Sequence, residues 1–237
     1  MPDRPALSVN GALLTPCPSG ALYWREEETL IVADLHFEKG SAFAGRGVLL
    51  PPYDTRTTLR RLAAVIRRFE PKRVVSLGDA FHDRGAEARM DETDAALLEE
   101  TMRGRDWVWV LGNHDPIPPK RFAGEVVAAK RIGRLALRHE PAEGPSPGEI
   151  AGHLHPCARV VSSTGSLRRR CFATDGTRLV MPAFGAYAGG LNVLDEAFAP
   201  LFGRVTAWVM GRSAVYPVGE ARLAPDPPPL ARTMKAG

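Results

Sequence analysis

The stretch Val74-Val75-Ser76-Leu77-Gly78-Asp79 joins a short apolar run directly to a glycine and a carboxylate, and the pattern recurs on either side of it. Upstream, Leu30-Ile31-Val32-Ala33 runs into Asp34-Leu35-His36. Downstream, Trp107-Val108-Trp109-Val110-Leu111 runs into Gly112-Asn113-His114-Asp115. Short continuous apolar runs of this kind read as buried strands. Helical patterns lie between them. From Pro52 to Phe69, Leu59, Leu62, Ala63, Ile66 and Phe69 fall at three- and four-residue steps, with Arg60, Arg61, Arg67 and Arg68 between. Asp91 to Met102 reads as a second helix, with Asp91 and Glu92 suitably placed at its start. Strands alternating with helices predict an α/β fold, and in an open α/β sheet the groups just past the strand ends converge where ligands bind.

After Pro119 the pattern changes to short strands between Gly and Pro: Val126–Ala129, Leu135–Arg138, Glu149–Ala151, Arg159–Val161, Cys171–Ala173, Leu179–Met181, Val205–Met210 and Ala214–Tyr216. This run of strands, following the alternating part, predicts two packed mixed β-sheets flanked by helices. The chain has 237 residues, of which 23 are Gly and 21 Pro, so loops are abundant and a helical bundle is excluded. One domain is expected over residues 1–223. The stretch Ala224–Gly237, with Pro225, Pro227, Pro228 and Pro229, is expected to be a loose tail.

At 44% hydrophobic and 24% charged the composition is that of an ordinary soluble globular protein and excludes wholesale disorder. The formal charge of +4 is compatible with nucleic-acid or phosphate-bearing partners without requiring them. No apolar run approaches the roughly 18 residues that span a bilayer. The start Met1-Pro2-Asp3-Arg4-Pro5 has no apolar stretch behind a basic one. Cys17, Cys157 and Cys171 are odd in number and lack paired spacing. A cytoplasmic location is therefore expected, with no membrane association.

Chemistry concentrates at the strand ends. To Asp34, His36, Asp79, Asn113, His114 and Asp115 two later segments add Arg138-His139-Glu140 and Gly152-His153-Leu154-His155. The chain has six histidines, and five lie in these segments; the sixth, His82, follows Asp79 by three residues. Carboxylate, imidazole and amide donors without thiolates suit manganese, iron or zinc in a reactive site, not a structural zinc finger. The donors outnumber what one ion needs. Asp79 is suited to bridging two divalent ions, an arrangement that activates water and clamps phosphate oxygens.

These motifs, in order over about residues 30–156, resemble the calcineurin-like metallophosphoesterase signature. Ala33-Asp34-Leu35-His36-Phe37-Glu38-Lys39-Gly40, Ser76 to Asp83, and Met181-Pro182-Ala183-Phe184-Gly185 with Gly189-Gly190 narrow the likeness to the ligase-associated DNA damage response endonucleases, the PdeM-type phosphoesterases. The resemblance implies a four-layer αββα sandwich and two metal ions, manganese foremost. One ion would take Asp34, His36, Asp79 and His155; the other would take Asp79, Asn113, His139 and His153. His114 would protonate the leaving oxygen or stabilise its charge, and Asp115 would orient His114 through a hydrogen bond. The resemblance also implies a repair ligase, a helicase and an exonuclease as partners. One departure stands out: Gly78-Asp79-Ala80-Phe81-His82-Asp83 is one residue longer than the usual Gly-Asp-x-x-Asp spacing, so Asp83 does not inherit the second aspartate's role from sequence alone.

Other residues keep two readings. His82 faces substrate or bonds the backbone of its loop. Lys39 contacts a substrate phosphate or is a solvated loop lysine. Arg168-Arg169-Arg170 grips a nucleic-acid backbone or is a solvated run in a turn. The expected function is hydrolysis of phosphodiester bonds in DNA during repair. The alternatives are a phosphatase or phosphodiesterase acting on small nucleotides or other phosphate esters, and a binding module with a vestigial metal centre.

Overall fold

The computed structural model describes residues 7–228 except Leu49, Pro52 and Pro118. It opens with an antiparallel meander, β1 (Leu7–Val9), β2 (Ala12–Pro16), β3 (Leu22–Trp24) and β4 (Thr29–Ala33). There follow α1 (Lys39–Ala44), α2 (Asp54–Phe69), β5 (Arg73–Leu77), α3 (Ala86–Arg89), α4 (Glu92–Met102), β6 (Asp106–Val110) and β7 (Glu125–Val127). The first sheet has the order β1-β2-β3-β4-β5-β6-β7, and from β4 onward its pairings are parallel. The three strands that end in polar residues thus lie side by side, in register from Ala33 to Leu77 to Val110. Their polar continuations leave from one edge.

The second sheet contains β8 (Ala129–Ile132), β9 (Leu135–Arg138), β10 (Glu149–Ala151), β11 (Cys157–Ser162), β12 (Gly165–Thr174), β13 (Leu179–Val180), β14 (Thr206–Met210), β15 (Val215–Gly219) and β16 (Leu223–Ala224). Its order is β15-β14-β12-β13-β10-β9-β8, with β11 against β12 and β16 against β11. β10 runs parallel to β9 and β13, and the remaining pairings are antiparallel, so both sheets are mixed.

Three apolar cores explain the layering. Side chains of α2 and α4 (Leu59, Leu62, Ile66 and Leu98) pack on the face of the first sheet that carries Leu30, Val32, Val74 and Trp107. Ile31, Ala33, Val75 and Val108 point the other way, against Leu137, Ile150, Phe172 and Leu179 of the second sheet. With both faces covered, β4 is buried at every position, which is why its sequence shows no alternation. The outer face of the second sheet, with Ala173, Val180, Ala207 and Val209, is closed by Val193, Phe198 and Val205. That cover is loop with a single 3-10 turn at Glu196–Phe198, so among the described residues the α-helices serve the first sheet alone.

Several boundaries differ from the sequence reading. β1 to β3 were not expected; they are three to five residues long and interrupted by Gly and Pro. The strand expected at Val126–Ala129 divides, β7 joining the first sheet and β8 the second, so the chain changes sheets there. β12 begins six residues before Cys171 and places Arg168, Arg169 and Arg170 in a strand instead of a turn. Pairing of its Gly165–Arg170 half with β11 provides the hydrogen bonds that fix it. Arg168 ion-pairs with Asp226 at 2.9 Å, and Arg170 donates to the carbonyls of Ala183 and Ala188 at 3.0 and 2.8 Å. Two of the three arginines are therefore spent within the chain. Of the expected tail, Ala224 pairs with Arg159 in β16 and Asp226 meets Arg168, while residues 229–237 lie outside the described residues. Among the described residues no helix is long and apolar enough to cross a membrane.

The second sheet is pinned by a buried ion pair, Arg178 with Glu149, exposed by 2% and 1%. Arg178 also donates to the carbonyls of Gly144 and Ala142, both at 2.9 Å. Arg178→Met would leave the buried Glu149 with only the half-exposed Arg138, at 3.8 Å, as countercharge. It is expected to lower the unfolding free energy by about 3–5 kcal/mol, read as a lower urea midpoint at unchanged slope.

Candidate metal centre

Asp34, His36, Asp79, His153 and His155 share an unusual backbone. Each has a positive φ, at 54°, 46°, 47°, 68° and 48°. Non-glycine residues in this region cost about 1–3 kcal/mol each, and such residues cluster where a chain must aim particular side chains. Here the turns are held by main-chain bonds beyond the strands: His36 N–H to Asp79 O at 2.9 Å, Phe37 N–H to Ala80 O at 2.8 Å, and Phe184 N–H to Ala33 O at 2.8 Å. The loops after β4 and β5 so continue the sheet's parallel pairing while their side chains turn inward.

Two glycines permit the close approach. A Cβ on Gly112 would lie 2.2 Å from Asp79 Oδ1 and 2.3 Å from its main-chain nitrogen, and a Cβ on Gly78, at φ 67°, would lie 2.4 Å from the His139 ring. Gly112→Ala is expected to cost about 1–3 kcal/mol through overpacking and to displace Asp79. Urea unfolding and metal content measured on the same sample check both.

The donors converge as two overlapping groups. Asp34, His36 and His155 have ligand atoms within 4.8 Å of one another, as do Asp34, Asp79 and His139. The Nε2 atoms of His36 and His155 face each other at 3.3 Å, and His155 Nε2 is 3.2 Å from Asp34. Asn113 Oδ1 lies 2.9 Å from His139 Nε2 and 3.1 Å from His153 Nδ1. His139 Nε2 is also 3.4 Å from Asp79. All seven residues expected as ligands are thus brought together. Glu140, to which the sequence reading gave no role, falls within the same reach of His139 and His153.

The electrostatics favour positive charge at this point. Asp34 and Asp79 are 0% and 2% exposed. Burial lowers the pKa of His139, yet the Asp79 hydrogen bond and the charges of Asp34 and Asp79 outweigh it and carry the ring up to about 9. The same carboxylates that draw a proton onto His139 would draw a metal ion. Burial, with the neighbouring His155, pushes His36 down to about 3 and keeps it in the neutral form that ligates. Nδ1–H of His139 donates to Leu77 O at 3.0 Å, which fixes the ring and leaves Nε2 facing the carboxylates. Two buried carboxylates, four imidazoles and an amide oxygen fit a pair of divalent ions.

His114 is on the exposed side of this cluster. Its main-chain N–H donates to Asp79 Oδ1 at 2.9 Å, and its Nδ1–H donates to the carbonyl of His82 at 3.0 Å. Among the described residues its Nε2 has no hydrogen-bond partner. The orientation expected from Asp115 is not what the structure shows. Asp115 accepts from the main-chain N–H groups of Asp79, Ala80, Phe81 and Gly112 at 2.9, 2.7, 3.1 and 3.0 Å. Its carboxylate ties its own loop to the loop after β5, and among the described residues it makes no hydrogen bond to His114. Burial pushes its pKa up to about 6, against the pull of those amides. Asp83 is not the orienting group either: it is held by Arg89 at 2.8 and 3.0 Å.

The cluster opens into a cavity of about 450 Å³. Lys39 and His82, the two expected substrate contacts, both line it, together with Phe43, Arg46 and Arg84. The last three were not singled out from sequence, since lone aromatic and arginine residues in loops carry no pattern. His82 is buried and stacks on His114 with ring centroids 5.3 Å apart.

Residues 28–168 match the family model for calcineurin-like phosphoesterases. Among solved structures, the nuclease MPE of Pseudomonas putida is 28% identical with a TM-score of 0.70, over 91% of this chain and 100% of that one. An Aquifex aeolicus protein of unknown function, AQ665, is 17% identical with a TM-score of 0.40, over 58% of this chain and 81% of that one. No curated protein matches the chain.

Proposed function

The chain belongs to the calcineurin-like phosphoesterase family, and from that premise we propose that it hydrolyses phosphodiester bonds in nucleic acid, DNA foremost, in the setting of repair. The observation that carries this is the convergence of seven nitrogen and oxygen donors beneath a mouth lined by Lys39, Arg46 and Arg84. The likeness to a nuclease over nearly the whole chain supports it. The motifs shared with the ligase-associated endonucleases supply the repair setting, with a ligase, helicase and exonuclease as proposed partners.

In this reading Asp34, His36, Asp79 and His155 hold one ion, and Asp79, Asn113, His139 and His153 hold the other. Manganese suits the nitrogen and oxygen donor set. Such ions supply a nucleophile from water at neutral pH and neutralise charge growing on the phosphate. The chain's own residues do the rest. Asp79 binds from a fixed position, since its main-chain N–H is clamped by Asp115. Lys39 meets a phosphate oxygen. His114, whose Nδ1–H is held by the His82 carbonyl, would act as the imidazolium and pass its Nε2 proton to the leaving oxygen, in line with displacement at phosphorus.

The test compares bis-p-nitrophenyl phosphate with p-nitrophenyl phosphate, using manganese-loaded protein and a chelated control. Metal-dependent turnover of the diester with little of the monoester is expected. Preference for the monoester would favour a phosphatase, and silence on both would return the vestigial binding module.

A further inference from the structure

The mouth of the metal centre is asymmetric. On one side stand the ligands of the second sheet; on the other stand α1 and the loop after β5. From that side Phe43, Arg46 and Arg84 reach the cavity. Arg46 and Arg84 are exposed, and among the described residues neither forms an ion pair. Among the described residues the one carboxylate on this rim apart from the metal donors, Asp83, is already paired with Arg89. Two cations without countercharge therefore border a site that, in the proposed reading, would hold one phosphate. They call for further negative charge on the same ligand.

Phe43 adds a second requirement. It is half-buried, tilted against His82 with centroids 5.9 Å apart, and Lys39 Nζ lies 6.0 Å from its ring. An aromatic face beside unpaired arginines is the combination that holds an unpaired base next to its backbone phosphate. The helix presenting it is well fixed. The buried Glu38 carboxylate accepts from Thr55 and Ser41 at 2.9 and 2.7 Å, and Asp54 accepts from Gly40 N–H at 3.0 Å.

We propose that Phe43, Arg46 and Arg84 form a subsite for the nucleotide flanking the scissile phosphate, with the arginines on its phosphate and Phe43 against its unpaired base. This rests on the phosphodiesterase reading and extends it to a determinant of specificity. A simple diester lacks a neighbouring nucleotide and gains nothing from the subsite. A strand gains both contacts.

The experiment uses Phe43→Leu, Arg46→Ala and Arg84→Ala in the full chain, each near the surface and outside the cores. First, fluorescence anisotropy in chelator measures binding of labelled single-stranded deoxy- and ribo-oligonucleotides and of the matching DNA duplex. Phe43→Leu is expected to weaken single-strand binding roughly fivefold or more and duplex binding far less. Each arginine variant is expected to lower the salt slope by about 0.7 on a single strand. The deoxy and ribo arms separate the two sources of strand. Second, with manganese, kcat/KM on the oligonucleotide is expected to fall at least tenfold further than on bis-p-nitrophenyl phosphate. Equal losses on both substrates, or unchanged binding and salt slope in all three variants, would overturn the subsite while leaving the phosphodiesterase reading intact. A wild-type protein that turns over neither substrate would overturn that reading itself.

Discussion

Asp79→Asn is expected to strip the centre of metal and to lower phosphodiester turnover on the order of 10³-fold or more. Asparagine keeps the shape and one acceptor oxygen, so the His114 main-chain N–H that now bonds Oδ1 at 2.9 Å keeps its partner. What disappears is a buried negative charge standing between both groups of donors. The site then holds four imidazoles, two amide oxygens and a single buried carboxylate, Asp34, to balance two divalent ions. Metal content by plasma emission should drop from two equivalents to at most one, and the diester assay should show the loss at saturating substrate. Two retained equivalents would mean that Asp79 is not shared and that the assignment of the two sites is wrong.

His114→Ala is expected to act differently: a fall in kcat of roughly 10²–10⁴-fold with metal content unchanged. The contrast follows from position. His114 is bonded through its Nδ1 to a main-chain carbonyl, and its imidazole lies on the exposed side of the buried carboxylates. Removing it leaves every donor atom in place. A substrate whose leaving group needs no proton, such as p-nitrophenolate, should lose less than an alkyl diester does. A rise in KM with kcat unchanged would assign His114 to binding, and loss of metal would assign it to the ligand set.

The architecture was legible where local chemistry declares itself. β4, β5 and β6 were readable because strands covered on both faces need unbroken apolar runs, and the residues that end them are polar for reasons of their own. α2 was readable because its buried face recurs with the helical period, as Leu59, Leu62 and Ile66 show. The donors were legible because their types are rare and their order along the chain is distinctive. β1 to β3 were not, since a strand of three residues such as Leu22–Trp24 is buried at every position and too short to show a period. The arginines of β12 were misplaced because what orders them, Asp226 and the carbonyls of Ala183 and Ala188, lies 13 to 58 residues away. Asp115 shows the same limit at the centre. The family resemblance implied a hydrogen bond to His114, whereas the fold turns the carboxylate toward three amides of the loop after β5 and one, Gly112, of its own loop. The mouth residues Phe43, Arg46 and Arg84 become a group only when α1 and the loop after β5 meet.

The hold on His114 by the carbonyl of residue 82 bears on how the protein can diverge. A carboxylate that orients a catalytic imidazole is lost by a single base change in its codon. A peptide oxygen is not encoded in that sense; every amino acid carries it. Substitutions at positions 82 and 83 that preserve the path of the loop therefore leave the imidazole's tether intact. This is a point of mutational robustness beside the donor cluster, and it lets the side chains of that loop change while the His114 ring stays tethered.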